Sequence, residues 1–568
     1  MNEKRTYFVV SLIVAAFLIV IIRLINFQIL NQEKYLTYVK KQYYSKEKVI
    51  RPRGIVFDSK GKILAISVPT IKIFAIPRYV KNKEEVAENL SIILKKSKFE
   101  ILRKLNSKKR YVVLADNVDK SLKPRIKKLI SDLKEWNIGI VESSKRIYPY
   151  KDLIGNTLGF VNRYNGIGAE GLEYKLNKYL GGGFDEISFL KDARGNPFTI
   201  EKNRDNNRDI KNIYLTIDSN IQYMAEEALK ELIRERRPKE ALVLIVDPKT
   251  GDILANATYP NYDPNRYWKY RKFKNITFQN AYEIGSLAKP FVLAEAIDEN
   301  KVNFHKRIYC ENGKIIIDGV RIKDHKRFKY LTPREIIVHS SNIGTIKIAL
   351  QLDPKKIYQR FKKLGFGKPT GVFPGEASGI LREDIRPVNV AYASIGQSWT
   401  ATAIQVAMAY SAIANGGYLL KPRLIKGYLE GNGEIKELDE VEIKSKVFSD
   451  KSLRWLRKTL KLVVEEGTAH SGKSKYFTIA GKTGTAQKYD PKLKALSNEK
   501  FYTWFAGFFP VNDPKYTIVV FANEPKKIRK WERIGGGKVS SVVMLNLIDR
   551  LMFYTKQKPD KLYFTQNK

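Results

Sequence analysis

The chain has 568 residues with a hydrophobic share of 43% and an aromatic share of 11%, enough for two or three domains with a sizeable core, and these values exclude a disordered protein. Its single cysteine, Cys310, excludes an internal disulfide, and four scattered histidines, His305, His325, His339 and His470, argue against a zinc site or a histidine-based triad. The formal net charge of +44 raises nucleic acid as a partner, but the basic residues are spread evenly, with no signature to focus them.

An envelope protein facing anionic lipid and wall polymer tolerates the same excess of charge, and so does a merely Lys-rich composition. The amino terminus favours the envelope. Residues 7–22 are apolar save for Ser11, and after Arg23 the run continues through residues 24–30. As a helix, residues 7–30 reach about 36 Å, enough to cross a bilayer with some tilt. Lys4 and Arg5 precede the run, so residues 1–6 are expected to stay cytoplasmic and the bulk of the chain to be exported. The small residues Val14, Ala15 and Ala16 lie mid-segment and no Ala-x-Ala site follows, which predicts an uncleaved single-pass anchor in place of a cleaved signal peptide. Arg23 is expected to snorkel outward or to meet a partner helix.

Residues 31–212 are Lys-rich and mixed, with helical stretches at 84–96 and 121–135. From Ile213 the apolar runs lengthen. Residues 242–246 and 253–255 read as buried strands, 404–414 as an apolar helix closed by Asn415-Gly416-Gly417, and 517–521 as a late strand. Early and late strands bracketing helices predict one sheet built from both ends of a domain at 213–553. Residues 554–568 are polar and read as a loose tail.

Within the second region lie Ser286-Leu287-Ala288-Lys289, Ser340-Ser341-Asn342 and Lys482-Thr483-Gly484. Each is weak alone, because Lys and Arg total 103 and Ser-x-x-Lys recurs at Ser45, Ser59 and Ser131. A second Lys-Thr-Gly at Lys249-Thr250-Gly251 sits between two apolar runs and reads as a turn with no catalytic role. Order and separation discriminate: 54 residues part Ser286 from Ser340, 142 part Ser340 from Lys482, and the context of Lys482 places it on or beside a strand. Together the three motifs describe a serine acyl-transfer site that uses lysine where other hydrolases use histidine. Ser286 and Lys289, three apart, share a helix face. Serine is a weak nucleophile until a neighbour takes its proton, and a buried lysine beside a second cation can serve as that base. Taken singly, Ser340 reads as a cap or turn residue, Asn342 as a helix-start residue, Lys482 as a solvated strand charge and His339 as structural. Neither cofactor nor metal is expected.

On these motifs the chain resembles class B penicillin-binding proteins, the single-anchor peptidoglycan transpeptidases, over nearly its whole length. Further family-like segments are residues 51–65, beginning Arg51-Pro52-Arg53-Gly54; residues 168–173 with Leu180-Gly181; Asp192-Ala193-Arg194-Gly195; residues 259–265 ahead of the serine; and residues 391–415 with Gln405. Ile284 stands where the family usually has Pro, and Ala288 where it has an aromatic residue or Met, departures that touch pocket shape. The resemblance implies a mixed α+β chain: a transmembrane helix, an elongated pedestal or dimerisation-type domain at 31–212, and a transpeptidase domain. That last domain is expected as an antiparallel sheet with helices on both faces, like a serine β-lactamase.

The resemblance also implies roles. Ser286 is the expected nucleophile, Lys289 the base, Lys482 the second cation, and Ser340 the relay of a proton to the leaving amine. Asn342 is expected to orient the substrate amide, and Thr483, Gly484 and Thr485 to line the site for the terminal carboxylate. The amides of Ser286 and Thr485 would form the oxyanion hole. The implied substrates are D-Ala-D-Ala stem peptides, with β-lactams as inhibitors, and the implied partner is a SEDS-family membrane glycosyltransferase at the cytoplasmic (inner) membrane, the bulk of the chain being periplasmic. A division-type enzyme fits better than an elongation-type one, given the compact pedestal, Ser340-Ser341-Asn342-Ile343-Gly344, and the segments 505–510 and 535–539. A β-lactamase or β-lactam sensor would not need the pedestal motifs, and a catalytically silent scaffold would have no use for the constellation. Nucleic acid is not an expected partner.

Overall fold

The computed structural model describes residues 3–34, 44–109, 111–191, 197–202, 210–491 and 495–561, so the motif at 192–195 lies outside it. At the amino terminus Arg5–Leu30 is a single apolar helical run of 26 residues, none of it buried, and long enough to span a bilayer.

The pedestal is built on a sheet that mixes distant parts of the chain. Its strands run in the order Ile435–Glu437, Ile425–Leu429, Asn212–Leu215, Val56–Phe57, Ile63–Ala75 and Val112–Asp119, with Ile138–Ile147 pairing Ile63–Ala75 as well. This sheet crosses the boundary expected between residues 212 and 213. Asn212–Leu215 straddles it, and the strands from 425–437 return to pair from far along the sequence. Composition marks where a chain changes character, but hydrogen-bonded pairing does not have to respect that point. The expected helices appear as Lys83–Leu94 and as Lys123–Asp132, the latter with Pro124 in its first turn. Val86, Ala87 and Leu90 form one apolar stripe that closes with Ile101, Leu105, Leu114 and Ile126 over Ile71 and Ile73, giving this outer half its own core.

The inner half is pinned to the catalytic domain by buried polar groups. Asp58, fully buried, accepts from the amides of Lys60 and Lys62 at 2.8 Å and from Ser219 Oγ at 2.6 Å, so one carboxylate closes a pedestal turn and holds the start of the helix Ser219–Arg236. Glu173, from the second pedestal motif, takes Arg53 Nε at 2.9 Å and Arg146 Nε at 2.7 Å, and Tyr148 donates to it at 3.2 Å. Asn265 exchanges bonds with the backbone of Tyr148 at 2.8 and 3.0 Å, joining the segment ahead of the nucleophile to the pedestal.

The catalytic domain has a five-stranded antiparallel sheet in the order Ile253–Tyr259, Glu240–Val246, Tyr516–Asn523, Ala495–Phe509 and Ala480–Asp490. The expected strands are present, and the sheet does draw on both ends of the domain. Every residue of Tyr516–Asn523 is buried, a pattern that requires cover on both faces. Ser219–Arg236, with Met544–Tyr554 beside it, and the wholly buried helix Ala403–Ala414 provide that cover. Lys249-Thr250-Gly251 is the turn between the first two strands, with Gly251 at φ +77°. The expected loose tail is docked at least to residue 561: Asp560 accepts from the Thr478 amide at 2.7 Å, and Lys561 Nζ donates to the Ser474 carbonyl at 2.8 Å. Polar composition concealed two specific partners.

Candidate active site

Ser286 lies in a single 3₁₀ turn, Gly285–Ala288, which runs into the helix Lys289–Asp298. The sequence enforces this turn from several sides. Gly285 has φ +57°, and a Cβ there would sit 2.8 Å from the Thr485 carbonyl oxygen, so the turn must meet the edge strand without a side chain. Gly484 answers it from the strand, where a Cβ would fall 2.6 Å from the Ile284 carbonyl. Tyr410 donates to the Leu287 carbonyl at 3.1 Å and Trp504 to the Glu283 carbonyl at 3.0 Å, both from buried rings. Ile284 and Ala288, the departures from the family pattern, are fully buried in the core behind the turn.

Lys289 is also fully buried. Its ammonium donates to the Ser340 carbonyl at 2.7 Å, to Ser340 Oγ at 3.2 Å and to Asn342 Oδ1 at 2.8 Å. Lys482, on the edge strand and equally buried, donates to the same Ser340 Oγ at 2.9 Å and to the Thr483 carbonyl at 3.1 Å. Two lysines therefore share one hydroxyl. Ser340 reaches both because it adopts the left-handed conformation, φ +57°, between the helices Pro333–Val338 and Asn342–Ala349. For a non-glycine residue that conformation costs roughly 1–2 kcal/mol and marks a place where the surroundings dictate the backbone. Among the described residues Ser286 Oγ takes no hydrogen bond; it is half-buried on the wall of a cleft of about 700 Å³ that Ser340, Asn342, Thr483 and Thr485 also line.

Burial governs the electrostatics. It pushes the Lys289 ammonium down to about 7, against the opposing pull of the Asp324 carboxylate. Lys482 is driven well below the usual lysine range by burial and then by the charge on Lys289. His325, on the same cleft, is pushed down to about 4 by burial and by both lysines. A hydroxyl has two lone pairs and one proton. When either lysine is neutral, Ser340 can donate to it while accepting from the other, so the three groups form a proton path.

Asp324 is the residue that sequence reasoning missed. It accepts from Ser341 Oγ at 2.8 Å, from the Ile343 amide at 3.2 Å and from the Asn342 amide, and so fixes the start of the helix that presents the second motif. Asn342 Nδ2 donates to the adjoining Lys323 carbonyl at 2.8 Å. Nothing in the run Lys323-Asp324-His325-Lys326 flags this pairing without coordinates. Asn342 opens a helix, as expected of it taken singly, and touches Lys289 as well. Thr483 Oγ1 lies 2.7 Å from Thr468 Oγ1, and Thr485 Oγ1 accepts from the Gly536 amide at 3.1 Å, so the 535–537 loop roofs the strand. His339 stacks on Phe328 with ring centroids 5.9 Å apart and belongs to that packing. Lys249, in the other Lys-Thr-Gly, is at the surface on Asp513 at 2.6 Å.

The fold and this cluster define a serine acyl-transfer enzyme of the two-lysine kind. Residues 241–549 match the penicillin binding protein transpeptidase domain, and residues 48–215 the penicillin-binding protein dimerisation domain. Stage V sporulation protein D of Bacillus subtilis is 30% identical over 96% of this chain and 85% of its own length. Peptidoglycan D,D-transpeptidase FtsI of Buchnera aphidicola is 28% identical over 97% of this chain and 95% of its own. Among solved structures, penicillin binding protein 2X from Streptococcus thermophilus superposes with a TM-score of 0.76 at 26% identity, covering 90% of this chain and 81% of that one. The chain belongs to the penicillin-binding protein transpeptidase family and carries the family's dimerisation domain ahead of the catalytic one.

Proposed function

We propose that the protein is a peptidoglycan D,D-transpeptidase whose nucleophile is Ser286, working at the division septum. The observation that carries this reading is the convergence of two buried lysines on one serine hydroxyl, beside a second serine on an open cleft. A β-lactam-binding scaffold has no need to bury two cations at such cost.

In this reading neutral Lys289 takes the proton of Ser286 Oγ as it attacks the carbonyl of the penultimate D-alanine. The amides of Ser286 and Thr485 hold the oxyanion, each such donor being worth ~3 kcal/mol in related chemistry. The C–N bond breaks, Ser340 and Lys482 deliver a proton to the departing D-alanine amine, and an ester remains on Ser286. The amine of a neighbouring stem then attacks the ester, loses a proton along the same path and leaves as the cross-linked peptide. Asn342 orients the substrate amide, while Thr483 and Thr485, beside the Lys482 charge and Gly484, receive the terminal carboxylate.

Labelling with a fluorescent penicillin tests the chemistry. A long-lived adduct on wild type that vanishes in Ser286→Ala is expected; rapid turnover of the drug would instead make this a β-lactamase. The likeness to FtsI supports a septal role, with the apolar anchor placing the protein in the cytoplasmic membrane, its catalytic domain outside, beside a SEDS-family glycosyltransferase. Depletion should block septation and give filaments, with a tagged copy at midcell. Rounded cells and side-wall label would reassign the enzyme to elongation.

A further inference from the structure

A cavity of about 180 Å³ lies at the junction of the two domains, remote in composition from the catalytic cleft and sharing no lining residue with it. Arg51, Arg53, Lys145, Arg146 and Arg163 line it, and no acidic residue does. Arg51 pairs with Asp185, Arg53 and Arg146 share Glu173, and the Arg163 guanidinium lies 5.1 Å over the Trp268 ring. Five cations against those two carboxylates leave an excess of three positive charges around a small enclosed space.

Arg146 is the informative member. Its side chain is 5% exposed, Nε is held by Glu173 at 2.7 Å, and Nη1 donates to the Gly54 carbonyl at 2.8 Å. Nη2 is buried and has no hydrogen-bond partner among the described residues. A buried guanidinium N–H left without an acceptor is costly, by roughly 1–3 kcal/mol or more for a charged group. Every other charged group on the wall is a cation, so the missing acceptor must come from outside the chain and be negative.

We propose that this cavity binds an oxyanion, a carboxylate or phosphate group seated on Arg146 Nη2 with Lys145 and Asn117 at its edge. The pedestal contributes Arg146, Lys145 and Asn117, and the catalytic domain contributes Asn265, Tyr267 and Trp268. A bound anion therefore ties the pedestal to the segment that leads toward Ser286. The rings of Tyr267 and Trp268 offer apolar faces to a sugar carrying the anion, whereas free phosphate would use the charges alone.

The full-length protein in detergent is titrated with inorganic phosphate, with N-acetylmuramic acid, and with neutral N-acetylglucosamine. The readout is the fluorescence of Trp268, isolated by difference against Trp268→Phe, which does not sense anions in the catalytic cleft. Saturable binding of one or both anions and none of the neutral sugar is expected; the tighter of the two identifies the source of the group. Asn117→Asp places a carboxylate at the edge, on a backbone at φ +56° that Asp tolerates, and should weaken the anion by about tenfold. Lys145→Gln, at an exposed position, should weaken it less. The proposal fails if no anion saturates the signal, if N-acetylglucosamine binds as well as the anions, or if both variants bind as wild type does.

Discussion

Asp324→Asn separates an active positioning role from a passive one. The carboxylate accepts three bonds, from Ser341 Oγ and the amides of Asn342 and Ile343. Asparagine has one acceptor oxygen, so at least one donor loses its partner and the remaining bonds lose their charge. A bond to a charged acceptor contributes about 1.5–3 kcal/mol, a neutral one about half that. A negative charge at a helix start adds a further ~0.3–1 kcal/mol. The expected loss is about 2–3 kcal/mol, roughly 5 °C in Tm for a domain of this size. The second effect carries a sign. The Asp324 charge opposes the burial that lowers Lys289, so its removal sends Lys289 lower still and keeps the base neutral into more acidic solution. The rate of acylation by fluorescent penicillin, followed across pH, should show a lower plateau and an acid limb displaced downward. A lower plateau with an unmoved limb would refute the coupling between Asp324 and the base, and a limb moved upward would refute its sign.

In the wild-type protein acylation should fall as pH drops through about 7, about tenfold per unit below it, because the lost activity is that of neutral Lys289; a rate flat down to about pH 5 excludes Lys289 as the base. Lys289→Arg keeps the charge but cannot give up its proton, so acylation should drop by about 10²–10⁴-fold with the fold retained by circular dichroism. Glu173→Gln removes the carboxylate shared by Arg53 and Arg146, and calorimetry should show about 3–5 kcal/mol of lost stability. The acylation rate of that variant, measured where it is still folded, should be unchanged; a large fall would mean that the pedestal cluster reaches the site.

What the sequence made legible were features whose chemistry is local. The apolar run at 5–30 needs no partner to be recognised, the buried strand 240–246 announces itself by composition, and the Ser286, Ser340 and Lys482 motifs carry their own turn and strand signals. What stayed hidden depends on pairing at a distance. Asp324 looks like one more charge in a basic stretch until its hairpin meets residue 342, 18 positions on. The strands at 425–437 complete a sheet begun at residue 56, and Asp560 in a polar tail finds Thr478 across 82 residues.

The same distinction explains why the site is stable despite its charges. Each lysine alone in the core would be ruinous, and burial indeed drives both downward. They persist because acceptors arrive from three separate parts of the chain: the Ser340 carbonyl and hydroxyl, the Asn342 amide held by Lys323, and the Thr483 carbonyl on the edge strand. Ser340 supplies two of these only by taking a left-handed backbone, and Asp324, binding the next three residues, is what can hold it there. The strained serine and the acid behind it therefore act as one device, which brings the lysines together while keeping at least one of them ready to lose its proton.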